Sequence, residues 1–361
     1  MTTRPQIGLA ISGGGFRATA FGLGCLRALH DRGILRNVTV LSGISGGSLA
    51  AAMWAYGPQR FDEFDQSTVE LLQRGLQRDI VLRTFAPASV VQNSAAFIGS
   101  LLPGRFATLR SANRTDALRA TLVARALGSK LMNDVTHPAL TTVLSATDLI
   151  TTRAVRFSSH GSSCSAHGRI VEPVTVAEAV AASAAFPALL PAIERRYTFT
   201  QDRDGTTTIQ RVALTDGGVY DNLGLSVLEP GRSPRYTGHV YDLDYVIACD
   251  AATGAPNPAN GRYLPMRLAR SYATTHRKSQ DGGRNRLHHA VRTGELRGFI
   301  HAYLGMPDDR LPLPVADLVP HQRTRNYGTN FKPMSDDDLH AIATRGEQLT
   351  RGLISYYCPE L

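Results

Sequence analysis

A chain of 361 residues with 43% apolar and 19% charged residues has the composition of a globular protein with a sizeable core. Its uncharged stretches, such as 43–58, are broken by Gly, Ser and Pro; they fall short of the about 20 apolar residues of a membrane-crossing helix, so no transmembrane span is expected. The formal charge is +9, the basic residues being almost all Arg, with no nucleic-acid-binding motif, and the widely spaced Cys25, Cys164, Cys249 and Cys358 suggest free thiols rather than a zinc cluster or disulfide framework.

The opening Met1-Thr2-Thr3-Arg4-Pro5 lacks the basic region, apolar stretch and cleavage site of a signal peptide, so a cytoplasmic protein is expected. Residues 6–11 read as a short buried strand stopping at Gly13-Gly14-Gly15. A helix over 17–32 follows from the spacing of Phe21, Leu23, Cys25, Leu26 and Leu29, with Gly33 as its C-terminal cap. Then come a β-branched strand at 38–41, a turn over 43–47 and the helix-forming run 49–54. Strand, helix, strand, turn and helix form the βαβ signature of a parallel sheet.

Residues 60–135 read as mostly helical, with Pro87 and Pro103 as breaks. Further strands are expected at 141–147 and 154–157, a small-residue helix at 176–185 and a hairpin of 197–200 with 207–214 across the turn 202–205. Another buried strand is expected at 244–250, and an amphipathic helix over 337–357 closes the chain. Without repeat or linker, 1–361 reads as one domain, a motif-bearing core at 6–255 with a basic and helical extension at 256–361.

Three local patterns carry chemistry. Gly43-Ile44-Ser45-Gly46-Gly47 fits the Gly-x-Ser-x-Gly nucleophile elbow and lies between an expected strand and helix, where that motif has meaning. Ser12-Gly13-Gly14-Gly15-Phe16-Arg17 is a second strand-to-helix turn, whose glycines let amide N–H groups converge on a phosphate or an oxyanion. Its likeness to a dinucleotide fingerprint fails because the next strand ends in the elbow rather than in a ribose-binding acid, and no Gly-Lys-Ser/Thr makes a P-loop. Thr215-Asp216-Gly217-Gly218 ends a strand-like run, where glycines allow a carboxylate to approach Ser45. Asp281-Gly282-Gly283 is its competitor, in a segment that looks helical or solvated.

Taken in this order, the three patterns resemble the patatin-like phospholipase family: a Gly-Gly-Gly-x-Arg/Lys loop, a Gly-x-Ser-x-Gly elbow and a distant Asp-Gly-Gly/Ala. Residues 12–54 also look like the corresponding part of eukaryotic cytosolic phospholipases A, and Ala18 stands where patatins usually have Gly. The resemblance implies a three-layer α/β/α fold with a mainly parallel central sheet. It implies Ser45 as nucleophile of an acyl-ester hydrolysis, Asp216 as direct general base without a histidine, and the Gly13, Gly14, Gly15 and Arg17 loop as oxyanion site. Arg17 is expected either to orient that loop or to meet a substrate phosphate. Asp148, Asn222 and Asp250 also match positions that recur in the family.

No metal or other cofactor is expected, and the substrate implied is a lipid at a membrane surface. Residues 262–297 carry nine Arg or Lys against Asp281 and Glu295, either a docking face for anionic lipid or a solvated helical face. The apolar run 186–191 reads equally as acyl-pocket lining or core. Two rivals are a Ser-His-Asp triad drawing on His276, His288, His289, His301, His321 or His340, and a lipid-binding protein without catalysis.

Overall fold

The computed structural model describes residues 4–86, 113–187, 189–201, 204–254 and 263–361. Pro87, Pro103, Ala188, Arg262 and the first two residues of the turn 202–205 lie outside the described residues.

The N-terminal alternation of strand and helix forms as expected. Strand β1 (Ile7–Ile11) leads into α1 (Gly15–Asp31), and β2 (Val38–Gly43) into α2 (Gly46–Tyr56). Strands β1 and β2 pair in parallel, and β2 pairs in parallel with β3 (Thr141–Asp148). On the other side of β1 lie β9 (Tyr245–Asp250) and then β10 (Gly298–Tyr303), both parallel to it in sequence of pairing.

The period of two along β1 decides what covers each face. Ile7, Leu9 and Ile11 enter one core with α1, α2 and the C-terminal helix Asp336–Tyr357. Ala10 enters a second core with Leu287 and Ala290 of the long helix Leu264–Thr293. Both faces of the parallel strands are thereby closed to water, which explains why β1 and β9 read as continuous apolar runs rather than alternating ones.

Beyond β3 the sheet changes character. Strands β4 (Arg153–Ser158), β5 (Ser163–Cys164), β6 (Gly168–Ile170), β7 (Ile193–Thr200) and β8 (Thr207–Asp216) follow as antiparallel neighbours. Strand β8 then returns to pair antiparallel with β3, closing these strands into a barrel-like ring. Among the described residues six strand pairings are antiparallel and four parallel. The expected three-layer α/β/α fold on a mainly parallel central sheet is therefore corrected: the chain is α/β, but its sheet is mostly antiparallel and closes on itself. The physical reason is connection length. Strands β3 and β4 are separated only by residues 149–152, too few for the crossover that parallel neighbours require.

Candidate active site

Ser45 caps α2 with φ 51° and ψ −121°, a conformation costing roughly 1–3 kcal/mol for a residue with a side chain. The elbow is held in it from three sides. Ile44 N–H donates to Ile11 O at 3.1 Å, Gly47 N–H to Ile44 O at 2.7 Å, and Ser45 N–H to the buried Ser183 hydroxyl at 2.9 Å. The motif glycines answer to close approach rather than flexibility. A Cβ on Gly47 would stand 2.3 Å from Ile11 O, and one on Gly43 2.7 Å from Ser48 Cα. Their absence lets α2 start directly against the end of β1.

Asp216 is the last residue of β8, opposite Ala146 of β3, and its N–H donates to Ala185 O at 3.0 Å. Its carboxylate accepts the Gly218 N–H at 2.7 Å. Burial raises its pKa strongly, the Ser45 hydroxyl and the Gly218 N–H oppose that rise, and the result lies at about 6. Gly217 and Gly218 make this packing possible, since added Cβ atoms would lie 2.1 Å from Ser145 O and 2.6 Å from Asn222 Oδ1.

The glycine loop lies against the elbow: a Cβ on Gly46 would fall 1.9 Å from Gly15 O. Gly13 N–H is occupied, donating to Asn222 O at 3.0 Å, and Phe16 N–H donates to Asn330 O at 2.9 Å. Gly14 and Gly15 have φ of 147° and 58°, and among the described residues their N–H groups have no acceptor. Arg17 is held by main-chain carbonyls. Its Nε donates to Ala251 O at 2.8 Å and its Nη1 to Tyr327 O at 2.6 Å. Burial lowers its pKa, against the charge of Asp250.

Residues 9–228, well over half of the chain, match the patatin-like phospholipase family. The chain belongs to that family. Curated relatives include Lysophospholipase 1 of Aspergillus fumigatus, 38% identical over 80 residues that make up 19% of this chain and 12% of the relative. Lysophospholipase of Penicillium chrysogenum matches to the same extent, so the chain spans about an eighth of the length of these curated relatives. Among solved structures, human GIVD cytosolic phospholipase A2 superposes with a TM-score of 0.56 at 14% identity. That likeness, of fold alone, covers 97% of this chain and 59% of the human one.

The remaining candidates of this patatin-like chain fall outside the contact between Ser45 and Asp216. Asp281 lies within the long helix and ion-pairs with Arg284. Of the six histidines considered, His276 has its Nδ1 3.1 Å from Gln280 Nε2, and burial lowers its pKa against the opposing effect of the Gly218 backbone. His301 is bonded to Asp250 at 2.9 Å, His288 packs on the Phe299 ring, His321 donates its N–H to Asp308, and His289 and His340 are exposed. None of the six hydrogen-bonds Ser45 or Asp216 among the described residues. Asp148 accepts the Ile150, Thr151 and Ala213 N–H groups and so fastens the β3–β4 turn to β8.

Sequence reading singled out Asn222 without a role and missed the other parts that hold the site. Ser183 supports the elbow, Asn222 holds Gly13, and Tyr327 and Asn330 seat the glycine loop, where Phe331 also packs edge-on against Phe16 at 5.4 Å. Three of these contacts use main-chain oxygens, which leave no mark in residue type. The four cysteines are buried free thiols.

Proposed function

We propose that this chain hydrolyses carboxylic esters of lipids through an acyl-enzyme, with Ser45 as nucleophile and Asp216 as general base. The observation carrying this reading is the Ser45 hydroxyl on a strained elbow, facing a buried carboxylate whose pKa is raised to about 6. A carboxylate with its ordinary pKa is a weak base; burial brings it nearer the operating pH. As Oγ attacks the ester carbonyl, Asp216 takes the hydroxyl proton and then gives it to the departing alcohol. Asp216 next takes a proton from the water that attacks the acyl-serine and returns it to Oγ as the fatty acid leaves, restoring Ser45.

The free Gly14 and Gly15 N–H groups are the best-placed donors for the developing oxyanion, each worth about 3 kcal/mol when well aligned. Gly13 contributes by anchoring the loop through Asn222, and Arg17 by bracing it. Phe186 and Leu189 are partly exposed beside Ala185, the acceptor of the Asp216 N–H, which supports them as lining for an acyl chain. Family membership and the relatives' names support phospholipids or lysophospholipids as substrates.

Contact with a membrane is supported by the long helix. Its N-terminal half exposes Leu264, Met266, Leu268 and Tyr272 together with Arg267, Arg277 and Lys278, the pairing of apolar and basic groups that suits an anionic interface. Tyr272 lies near the site: burial and then the charge of Asp216 raise its pKa.

The test is hydrolysis of a short-chain p-nitrophenyl ester and of mixed phospholipid vesicles by the unaltered protein, Ser45→Ala and Asp216→Asn. Ser45→Ala should fall to background and Asp216→Asn by about 10²–10⁴-fold, both with unchanged circular dichroism. Full activity in Asp216→Asn would refute the assigned base.

A further inference from the structure

Beside the turn that follows Asp216 lies a cavity of about 480 Å³ that neither Ser45 nor Asp216 lines. Three arginines face it: Arg156 from β4, Arg232 from the loop after Asn222, and Arg286 from the long helix. Its acids are Asp221 and Glu229. Arg156 stands opposite Ser145 of β3, whose carbonyl backs Gly217, so the cavity adjoins the frame of the proposed active site.

The charges of this cavity do not cancel in pairs. Arg286 and Glu229 form an ion pair at 2.7 Å. Asp221 turns its oxygens to the backbone, Oδ1 accepting the Leu223 and Gly224 N–H groups and Oδ2 the Ser226 N–H. That leaves Arg156 and Arg232 without an ion pair among the described residues. Arg156 is only 7% exposed, its Nε has no hydrogen-bond partner, and its Nη2 reaches Ser226 Oγ at a long 3.4 Å. Among the described residues Arg232 donates only to Ser226 O. His239 adds no charge to offset or reinforce them, because burial and the two guanidinium groups lower its pKa to about 3. A buried cation without a partner is costly, and an anion seated between two guanidinium forks removes that cost.

Gly283 points the same way. It lines the cavity from the middle of the long helix, where glycine weakens the helix, yet a Cβ there would meet nothing closer than 3.9 Å. Packing does not require glycine at this position, and its lack of a side chain leaves that wall of the cavity open.

We propose that this cavity binds a phosphate monoester group, held by Arg156 and Arg232, at a site separate from the catalytic serine. An anion answers the net positive charge that Arg156 and Arg232 leave beside Asp221, and the tetrahedral oxygens of a phosphate meet donors from different walls where a planar carboxylate serves one. The volume exceeds that of a phosphate alone, leaving room for the molecule that carries it. The group is either that of a soluble phosphate ester or the headgroup of an anionic lipid.

Isothermal titration calorimetry of the full chain with glycerol 3-phosphate, and flotation with phosphatidylcholine vesicles with and without phosphatidic acid, test the assignment and separate the two sources. Saturable binding of glycerol 3-phosphate identifies a soluble ester; binding confined to phosphatidic acid vesicles identifies the headgroup. In either case Arg232→Gln should weaken binding about tenfold or more, as expected for loss of a charge-assisted contact. Gly283→Met should abolish it by filling the cavity with the melting temperature retained, and Ser45→Ala should bind as the unaltered protein does. The proposal is overturned if neither phosphate form binds saturably, or if Arg232→Gln and Gly283→Met bind as tightly as the unaltered protein.

Discussion

At the residue scale Asp216 connects chemistry to stability. Its pKa of about 6 means that a base at this position gains activity as pH rises; kcat/KM on a soluble ester should climb through a single ionisation near that value. The effect on stability has the opposite sign. Because the folded pKa lies above the ordinary carboxyl value, the stabilisation is complete below the unfolded pKa of 3.8 and is lost as pH rises through about 6. A shift of this size corresponds to about 3 kcal/mol. Asp216→Asn should therefore be more stable than the unaltered protein by up to about 3 kcal/mol at pH 7.5, with no gain at pH 4, in urea unfolding. Arg17 poses a different question, since its Nε and Nη1 already hold the Ala251 and Tyr327 carbonyls. If it positions the glycine loop, Arg17→Met should lower kcat roughly tenfold with KM little changed, even on a p-nitrophenyl ester without phosphate. Loss confined to phospholipids would instead assign it to substrate phosphate.

At the element scale, the site exists because two strand-to-helix turns press together without side chains between them. A Cβ at Gly46 would overlap Gly15 O, so Gly46→Ala should separate elbow from loop and reduce turnover about a hundredfold with secondary structure retained, as read by circular dichroism. The long helix shows the contrary case. Gly283 has room for a methyl group, so Gly283→Ala should raise stability by up to about 1 kcal/mol in thermal unfolding. The same helix explains why its basic run was ambiguous in sequence: Leu287 and Ala290 are buried while Leu264 and Leu268 are exposed, so only its C-terminal half has the core-facing stripe.

Across the whole molecule, the proposed function gives the exposed apolar start of that helix and the proposed catalytic pair different steps, adsorption and bond cleavage. Leu264→Asp with Leu268→Asp should lower hydrolysis of anionic vesicles about tenfold and leave short-chain ester hydrolysis unchanged. The sequence by itself determined the strand-turn-helix units around Ser45 and the strand ending at Asp216, because backbone reversal, helix start and close approach are local demands that glycine and serine spacing records. It also determined the parallel pairing of β1 with β2, through the helix that must cross between them. Tertiary structure alone decided the return of β8 to β3, the two short strands β5 and β6, the occupation of the Gly13 amide by Asn222, and the meeting of Arg156, Arg232 and Arg286 around one cavity. Apart from β5 and β6, whose two and three residues are too short to leave a pattern, each joins segments far apart in the chain through main-chain atoms or through charges that look solvated one at a time. Residue type records what a segment needs locally, not which distant segment supplies it.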